Sequence, residues 1–498
     1  MQFNSFAFLL FFPVVLLVYF LVPRKGRYLW LLLASYVFYM GWSVRYASLL
    51  ALSTVLTYAG SLVLTAMKDR PRAQRRLVLF AVLTANLGIL AYYKYANFLL
   101  GTFFRLLQVF SPAANPPVLD IVLPVGISFF IFQALGYMID VYRGNLEPER
   151  NLFRYALFVS FFPQLVAGPI ERASNLMPQL RRVDSLELWD FKRIQAGCVH
   201  MLYGFLMKMI IADRAAIAVN EVFADPALWP PLAYAIAILL FTIQIYCDFG
   251  GYSAIAIGCA QVMGIRLMDN FRAPYLARSI RDFWGRWHIS LSTWFMDYVY
   301  IPLGGNRKGR WKKYRNLLIV FAVSGLWHGA AWHFVFWGLC HAVFRIFGEI
   351  SLPWRRRFWK KLGVSESSRF LAVLSTLGTF LLVAVAWLFF RAQSLSQALL
   401  MLRALPEAVR GPWTLSSLMS DGFLLGLRPP EMVLLLVSIF LLFISDFLAV
   451  RGKRFLPWFE RQRLPLRIAF FLLGTVLLLV FGIYGNAYDA SSFIYFQF

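Results

Sequence analysis

Long apolar runs alternate with short polar connections along the whole chain, and they predict membrane-spanning helices. A helix needs roughly 20 apolar residues to cross the hydrocarbon core of a bilayer. The pattern predicts about 11 spanning or re-entrant segments in an all-α, polytopic membrane protein. The runs without Asp, Glu, Lys or Arg are residues 1–23, 28–44, 46–67, 77–93, 122–139, 155–170, 316–344, 370–390, 432–445 and 468–488.

Composition supports a membrane protein rather than a soluble one. The chain of 498 residues is 60% hydrophobic and only 15% charged, whereas soluble domains are about a quarter charged. No basic residue precedes Arg24, and no small-residue cleavage site follows the first run, so we expect a retained first helix rather than a secretory signal. With no internal repeat and no long soluble segment, residues 1–498 are predicted to form one integral membrane domain.

The net charge of +25 is concentrated in short loops between the apolar runs. This is the positive-inside pattern of cytoplasmic loops, and it removes the need for a nucleic-acid ligand. Alternating these loops across the membrane places both chain termini on the outer side. The basic loops lie at residues 23–27, 68–76, 307–315, 354–361 and 451–467.

Three less apolar stretches, near residues 171–193, 281–315 and 392–431, are predicted to lie at the membrane surface. Within the first and the last, "LELWDFKRI" and "SQALLMLRALPEAVRG" have the pattern of amphipathic interfacial helices. The four cysteines show no C-x-x-C spacing, so the sequence indicates neither a metal site nor a disulfide framework.

Histidines provide the strongest indication of chemistry, because ionisable groups at membrane depth are costly and are functional candidates by default. Three of the five lie in the uncharged stretch "SGLWHGAAWHFVFWGLCHAV". His328 is our candidate general base, since a desolvated imidazole stays neutral. Gly325 and Gly329 flank it and are expected to allow close helix packing and to leave room for a ligand. His333 and His341 are interpreted as packed, hydrogen-bonded residues.

His288 lies in "RDFWGRWHISLSTWFMDYVYIPLGG", which is too polar to cross lipid and too aromatic for a solvated loop. We expect an interfacial or re-entrant segment folded against other helices. Arg286 and Asp297 in this segment then need internal partners, and each other is one option. Asp248 and Asp297 either orient a histidine or form structural ion pairs.

The chain resembles the membrane-bound O-acyltransferases, in the bacterial branch that serves alginate O-acetylation. Residue 285, which the family usually fills with a bulky basic residue, is glycine here. The motifs that carry the resemblance are "LPVGISFFIFQALGYMIDVYRG", "FFPQLVAGPIERASNLMPQL", "GFLMKMIIADR", "YCDFGGYSAIAIG", "RDFWGRWHISLSTWFMDYVYIPLGGNRKG", "SGLWHGAAWHFVFWG", "WLFFRA" and the terminal "FIYFQF".

The resemblance implies a ring of transmembrane and re-entrant helices around a central tunnel, with His328 as the principal catalytic residue and His288 as the second. It implies transfer of an acyl group, expected to be acetyl, from a cytoplasmic thioester donor such as acetyl-CoA toward an extracellular polysaccharide such as alginate. No permanently bound cofactor or metal is expected. The implied location is the bacterial inner membrane, and the implied partner is a periplasmic or membrane-anchored polysaccharide acetyltransferase.

Further residues are candidates for supporting roles. Basic side chains at the cytoplasmic mouth would attract donor phosphates, although the positive-inside rule explains them equally well. The candidate donor-phosphate residues are Arg307, Lys308 and Arg310. The candidate tunnel or support residues are Trp327, Asp248, Asp297, Arg286 and Asn306.

Tyr495 lies in the uncharged aromatic tail "SSFIYFQF". A phenol folded back into the tunnel could carry the acyl group as a transient ester. The alternative is an aromatic anchor at the membrane interface.

Two other functional classes remain open from the sequence. A proton-coupled transporter would also use intramembrane Asp248 and histidines, but many transporters show internal repeats. The second functional class is a structural scaffold for an export complex. Within acyl transfer, the alternative acceptors are peptidoglycan, cellulose and, for D-alanine, teichoic acid.

Overall fold

The computed structural model describes residues 1–112, 115–411 and 421–484 of the chain. Every regular element in these ranges is helical, which confirms the all-α prediction. The helices up to residue 262 are α1 (Phe6–Leu21), α2 (Arg27–Met40), α3 (Val44–Ala66), α4 (Arg72–Leu90), α5 (Ala96–Leu107), α6 (Ile127–Arg143), α7 (Leu152–Ser160), α8 (Phe162–Leu165), α9 (Ala173–Arg182), α10 (Phe191–Leu206), α11 (Asp213–Ala224) and α12 (Pro231–Val262).

The remaining helices carry the histidine-rich motifs and the last apolar runs. They are α13 (Ile280–Trp284), α14 (Ile289–Phe295), α15 (Arg310–His328), α16 (Trp332–Ile350), α17 (Leu352–Lys361), α18 (Arg369–Arg391), α19 (Leu395–Arg410), α20 (Asp421–Leu424), α21 (Pro429–Val450), α22 (Phe455–Glu460) and α23 (Leu464–Phe481).

Three π-helical segments adjoin these helices, at Ala91–Tyr95, Met207–Ala212 and Met296–Tyr300. A π-helical turn is rare and is found frequently at functional sites. Each contains an ionisable residue, Lys94, Lys208 and Asp297 respectively, and the third follows α14 in the segment that contains His288.

Six helical stretches in the described residues are long and apolar enough to cross a membrane, or seven if the bent pair α16 and α17 forms one span. The polytopic prediction is confirmed, with fewer long spans than the roughly 11 segments expected from hydropathy. Two apolar runs explain part of the difference. Residues 155–170 divide into α7 and α8, because Pro163 starts a new short helix. Helix α6 has 17 residues that are nearly all buried, so its apolar side chains form protein core.

The chain packs as two compact units. Unit 1 comprises Met1–Met201 with Ile255–Met268, and unit 2 comprises Leu202–Ala254 with Asp269–Phe498. The candidate site residues that the structure describes all belong to unit 2. The single domain expected for residues 1–498 stays a prediction.

In unit 1, α9 is joined to the loop that follows α12 by buried polar contacts. Glu171 is buried and accepts hydrogen bonds from the Met268 backbone N–H and from Asn175 Nδ2. The Gln179 side chain both donates to the Arg266 carbonyl and accepts from the Arg266 N–H. These contacts fix part of the predicted surface stretch 171–193 against the protein.

The amphipathic segments are partly as expected. Residues 395–410 form helix α19, whereas "LELWDFKRI" becomes helical only from Phe191 onward. Leu188, in the extended part, is buried. The location of these two segments at the membrane surface stays a prediction.

In unit 2, the core is dominated by tryptophan. Trp287, Trp337 and Trp387 are almost completely buried. Trp387 lies between the other two, with ring centroids 5.0 Å from Trp287 and 5.4 Å from Trp337. His328 packs against this aromatic layer through Trp337.

Candidate active site

His328 is the last residue of α15 and is only 4% exposed. Its imidazole is surrounded by aromatic rings on three sides. The ring centroids lie 4.9 Å away for Trp327, 5.0 Å for Trp337 and 5.5 Å for Phe390. Such an apolar wall disfavours the charged imidazolium and favours a neutral base.

The glycines beside His328 serve helix packing, and Phe334 occupies the space that we expected a ligand to use. A Cβ on Gly325 would lie 2.2 Å from the Phe334 carbonyl oxygen, and one on Gly329 would lie 2.0 Å from the Phe334 ring. Gly338 on α16 faces the Phe321 carbonyl oxygen in the same way, at 2.1 Å. The expected close approach of helices is therefore present, and the room for a ligand is not at these glycines.

His288 is completely buried and caps the start of α14. Its ring centroid lies 6.3 Å from that of His328, 5.9 Å from that of Trp327 and 4.7 Å from that of Phe249. The structure therefore brings together the two histidines predicted from sequence motifs 40 residues apart.

The backbone at His288 is strained. Its φ of 43° and ψ of 54° lie in the left-handed region, which costs a residue with a Cβ on the order of 1–3 kcal/mol. Such conformations persist where the surroundings impose them, and they cluster at functional sites.

Asn270 imposes this turn from a separate segment. Its carbonyl accepts from the Ile289 N–H at 3.0 Å, and its Oδ1 accepts from Ser290 Oγ at 2.6 Å. Its Nδ2 donates to Ser253 Oγ at 3.1 Å. Asn270, Ser253 and Ser290 are all buried. Together they form a clamp, which we call the Asn270 clamp, that fixes the residues directly after His288.

Burial lowers the pKa of His288 to about 3 from its ordinary value of 6.5. The physical cause is desolvation, because taking an imidazolium out of water is unfavourable. His288 is therefore a neutral ring at physiological pH, suited to accept or donate a hydrogen bond to a reacting group.

Lys208 forms a buried ion cluster with two carboxylates. Its Nζ lies 2.6 Å from Asp213 Oδ1 and 2.6 Å from Asp248 Oδ1. All three side chains are at most 5% exposed. Of the two roles left open for Asp248, the structure shows the ion pair. Asp248 precedes Phe249, whose ring contacts His288, so the cluster adjoins the site.

The pKa of Asp213 is shifted by this arrangement. Desolvation raises the pKa of its carboxyl group to about 6, against the opposing effect of the Lys208 charge. One ammonium between two carboxylates leaves a formal excess of one negative charge, and a raised pKa is the usual response of such a buried group.

Arg286 takes a local partner. Its Nε donates to Asp282 Oδ1 at 2.7 Å, so this nitrogen binds a residue of the short helix α13 rather than Asp297. Asp297 is half-buried in the π-helical segment after α14. Gly285 is exposed, and a Cβ added to it would lie 3.3 Å from its nearest neighbour, the Asp282 carbonyl oxygen. A side chain there would face outward, but its Cβ would press on the Asp282 carbonyl oxygen, so the backbone would have to shift slightly to accommodate it.

The connection before α15 presents its basic residues to the outside. Asn306, Arg307, Lys308 and Arg310 are all exposed. The loop itself is held from within by Asn316, a buried residue whose Nδ2 donates to the carbonyls of Leu303 and Gly305. Further along the basic run, Lys313 pairs with Glu349. The structure therefore does not gather Asn306 with the buried histidines.

The other histidines of α16 are packed and hydrogen-bonded, as interpreted from the sequence. His333 Nδ1 lies 3.1 Å from the Phe389 carbonyl. Trp284 Nε1 donates to His341 Nδ1 at 3.3 Å. Tyr495 lies outside the described residues.

Besides Lys208 and Asp213 of the ion cluster, which it did not single out, sequence reasoning missed two further buried polar residues in unit 2. The first is Asn270, whose partners on other segments no local pattern reveals. The second is Asp446, in the apolar helix α21, which accepts hydrogen bonds from Tyr246 Oη at 3.1 and 3.2 Å. A single acid in "LLFISDFLAV" was readable as an intramembrane candidate, but it lay just beyond the uncharged run 432–445.

Comparison with known proteins identifies the class. Residues 148–365 match the family described as MBOAT, membrane-bound O-acyltransferase family, and relatives cover most of the chain. The chain belongs to the membrane-bound O-acyltransferase family, and it is an O-acyltransferase.

Among its relatives, a Pseudomonas putida protein named "Probable alginate O-acetylase AlgI" is 36% identical over 100% of both chains. The Pseudomonas aeruginosa protein of the same name is 40% identical over 87% of this chain and 80% of that protein. A Helicobacter pylori protein named "Peptidoglycan O-acetyltransferase" is 35% identical over 81% of this chain and 79% of its own.

Proposed function

We propose that this protein is an O-acetyltransferase of the bacterial inner membrane, which moves acetyl groups from cytoplasmic acetyl-CoA to an extracellular polysaccharide such as alginate. The observation that carries the proposal is the pair of buried histidine rings with centroids 6.3 Å apart in a membrane O-acyltransferase. The names of the most similar relatives favour a polysaccharide acceptor and an acetyl group.

In this proposal His328 is the general base. Its neutral imidazole takes the proton of an acceptor hydroxyl, and the hydroxyl oxygen attacks the carbonyl carbon of the thioester. The new C–O bond forms, the C–S bond breaks, and the thiolate leaves and receives the proton from the imidazolium. A base positioned for such a transfer typically contributes about 10²–10⁴-fold in rate.

His288 has the positioning role. A neutral ring held 6.3 Å from His328 can hydrogen-bond the thioester carbonyl or a bridging water, without adding a cation to the apolar site. Its left-handed turn and the Asn270 clamp restrict that ring to one orientation, because preorganised donors act without paying a reorganisation cost during the reaction.

The donor would enter at the cytoplasmic face. The exposed residues Arg307, Lys308 and Arg310 would attract the phosphates of acetyl-CoA by their field, and the positive-inside rule supports a cytoplasmic location for this face. Both termini would then lie on the periplasmic side.

The acetyl group would leave on the periplasmic side through a partner. We propose a periplasmic or membrane-anchored polysaccharide acetyltransferase, since the acceptor polymer is too large to enter a buried site. Tyr495 would be the relay that receives the acetyl group as an ester.

Mass spectrometry of cell-surface polymers, with and without this protein, tests the proposal. We expect loss of O-acetyl groups from one polysaccharide in the deletion strain and restoration by the wild-type gene but not by His328→Ala. Loss of O-acetyl groups from peptidoglycan instead would mean that the same reaction serves a different acceptor, the one in the name of the Helicobacter pylori relative. Unchanged acetylation of every polymer, with altered uptake of a solute, would favour a transporter and contradict the proposal.

A further inference from the structure

Helix α17 is strongly amphipathic and strongly basic. Five of its ten residues are Lys or Arg. Residues four apart share one face of a helix. Trp354, Phe358 and the following Leu362 therefore form an apolar stripe. The opposite face carries one basic pair, Arg356 with Lys360, and a second pair, Arg357 with Lys361, flanks the stripe.

The apolar stripe has no cover among the described residues. Trp354 is 69% exposed, Phe358 is 56% exposed and Leu362 is 57% exposed. Only Trp359, at the edge of the stripe, packs against the protein, with its ring 6.2 Å from Phe370. In water, such a surface would be unfavourable, because each exposed aromatic ring keeps a large apolar area solvated.

Helix α17 does not complete a membrane span. The preceding helix, α16, has 19 residues, which at 1.5 Å per residue gives a length close to the roughly 30 Å hydrocarbon thickness. The two helices are bent by 48° at their junction. Five charged residues within ten would be prohibitively costly in hydrocarbon, so α17 must turn out of it.

We propose that α17 lies along the membrane surface and binds anionic phospholipid headgroups. Its apolar stripe enters the boundary between headgroups and acyl chains, and its basic face meets the lipid phosphates. A cluster of four to eight Lys or Arg residues beside a transmembrane helix, or on an amphipathic helix, has the pattern of anionic-lipid binding. Both conditions are met here.

Two contacts hold α17 at this angle. Arg355 Nη2 donates to the Gly348 carbonyl at 2.8 Å, near the end of α16. Arg356 Nε pairs with Glu366 Oε1 at 3.2 Å across the following turn. Arg357, Lys360 and Lys361 are exposed, and they remain directed to whatever lies beyond the protein surface.

The chemistry favours lipid over a protein partner. The stripe is continuous in sequence with α16, whose side chains Val343, Phe347 and Ile350 are exposed apolar groups, so in a bilayer lipid would extend from α16 to the stripe. The charge is of one sign, which suits a surface of repeated phosphates better than a protein patch of mixed charge.

Spin labels placed on the two faces test the location. In a background with Cys198 and Cys340 replaced by Ser, nitroxides at Phe358→Cys and Lys360→Cys are compared in vesicles containing phosphatidylglycerol. We expect the label at position 358 to be relaxed by oxygen, which partitions into lipid, and the label at position 360, on the opposite face, to be relaxed by a water-soluble nickel chelate. Equal exposure of both positions to water would overturn the proposal, and shielding of position 358 from both reagents would overturn it in favour of a protein cover.

Lipid retention tests the headgroup preference. The variant Arg356→Gln/Arg357→Gln/Lys360→Gln/Lys361→Gln is purified and its bound phosphatidylglycerol is counted by native mass spectrometry. Each cation near an anionic surface contributes roughly fivefold in affinity, so we expect at least about a tenfold loss of retained anionic lipid.

The matched control removes the same number of charges from another basic connection, as Lys453→Gln/Arg454→Gln/Arg461→Gln/Arg463→Gln. These four residues are also exposed, but they do not lie together on one helix. We expect little change in the control. An equal loss in both variants would mean that positive charge acts generally and would overturn a specific role for α17, with gel filtration excluding misfolding in either case.

Discussion

At the scale of single residues, the conformation of His288 depends on a side chain from another segment. A left-handed backbone and complete burial are both unfavourable for a histidine, and both are stabilised by the Asn270 clamp. Truncating the amide would leave the hydroxyls of Ser290 and Ser253 buried without these partners, at a cost of about 1–3 kcal/mol per group.

We expect Asn270→Ala to lower kcat for acyl transfer by about 10²-fold, with a smaller effect on KM, because misplacement of a reacting group by about 1 Å has that magnitude. Asn86→Ala is the matched control, since Asn86 makes a similar buried bond with Ser53 in unit 1. It should lose comparable thermal stability and keep its kcat. If Asn270→Ala slows transfer equally in the wild-type and His288→Ala backgrounds, the clamp does not act through His288.

The lowered pKa of His288 predicts a specific acid sensitivity. The folded state holds the pKa near 3, whereas the unfolded chain has the ordinary value of 6.5. Below pH 6.5 the unfolded state therefore binds more protons, and stability falls as the pH is lowered toward 3. The full slope for one group is about 1.4 kcal/mol per pH unit.

Thermal unfolding of wild type and His288→Gln in detergent, between pH 7 and pH 5, measures this difference. We expect wild type to lose more stability than the variant as the pH falls. Parallel pH dependence in the two proteins would contradict a buried, neutral His288.

The proposed relay at Tyr495 predicts that its phenolic oxygen is required for acetyl transfer. Tyr495→Phe keeps the ring and removes the nucleophile, so we expect acetyl transfer to the polymer to stop while the protein level in the membrane stays normal. The assay is O-acetyl content of the polysaccharide. Normal acetylation by Tyr495→Phe would leave the tail an anchor and remove the ester intermediate.

At the scale of elements, the position of His328 depends on how closely α15 approaches α16. Gly325 and Gly338 place backbone against backbone, and α15 ends at His328 itself. The aromatic rings around the imidazole come from α15, α16 and α18. A shift of this helix pair would therefore displace the candidate base relative to its walls.

We expect Gly338→Ala to destabilise the protein and to reduce acyl transfer, because the new Cβ would lie 2.1 Å from the Phe321 carbonyl oxygen. Gly348→Ala on the same helix is the control. No atom lies within 4 Å of its Cβ position, so it should be neutral or slightly stabilising, given the helix propensity of alanine. Thermal stability and turnover are measured for both. A Gly338→Ala protein with wild-type values would show that the close approach is dispensable.

These elements also show where sequence reasoning succeeds and where it ends. His328 and His288 became candidates because of their motifs and because ionisable groups at membrane depth are costly. The structure brings their two rings together. The close helix approach expected at Gly325 and Gly329 is present, but the expected room for a ligand is not, because the sequence shows a small residue and does not show the Phe334 that fills the space. The sequence analysis did not identify the partner of Arg286, which is Asp282 on the short helix α13, one turn earlier in the chain. Hydropathy predicted about 11 spanning or re-entrant segments, and six or seven of the described helical stretches are long enough to cross a membrane alone or as a bent pair. Hydropathy cannot separate the two kinds of segment, because burial inside a protein and burial in lipid select the same side chains.

At the scale of the whole molecule, the protein is a multi-pass membrane O-acyltransferase in which polar chemistry is kept away from lipid. The candidate histidines, the Lys208 ion cluster and the Asn270 clamp all belong to unit 2. The charges of the cluster pair with one another, the polar groups of the clamp bond to one another, and the histidine rings pack against aromatic side chains. Satisfied polar groups within a protein interior are the arrangement that a membrane environment requires.

The most direct test of the account is turnover of a thioester by the purified protein in vesicles. Acetyl-CoA is supplied on one side, and free CoA and transferred acetyl groups are measured for wild type, His328→Ala and the control His333→Ala. We predict that His328→Ala loses about 10²–10⁴-fold in rate while remaining folded, and that His333→Ala keeps most of its activity. Wild-type turnover by a well-folded His328→Ala protein would contradict the account.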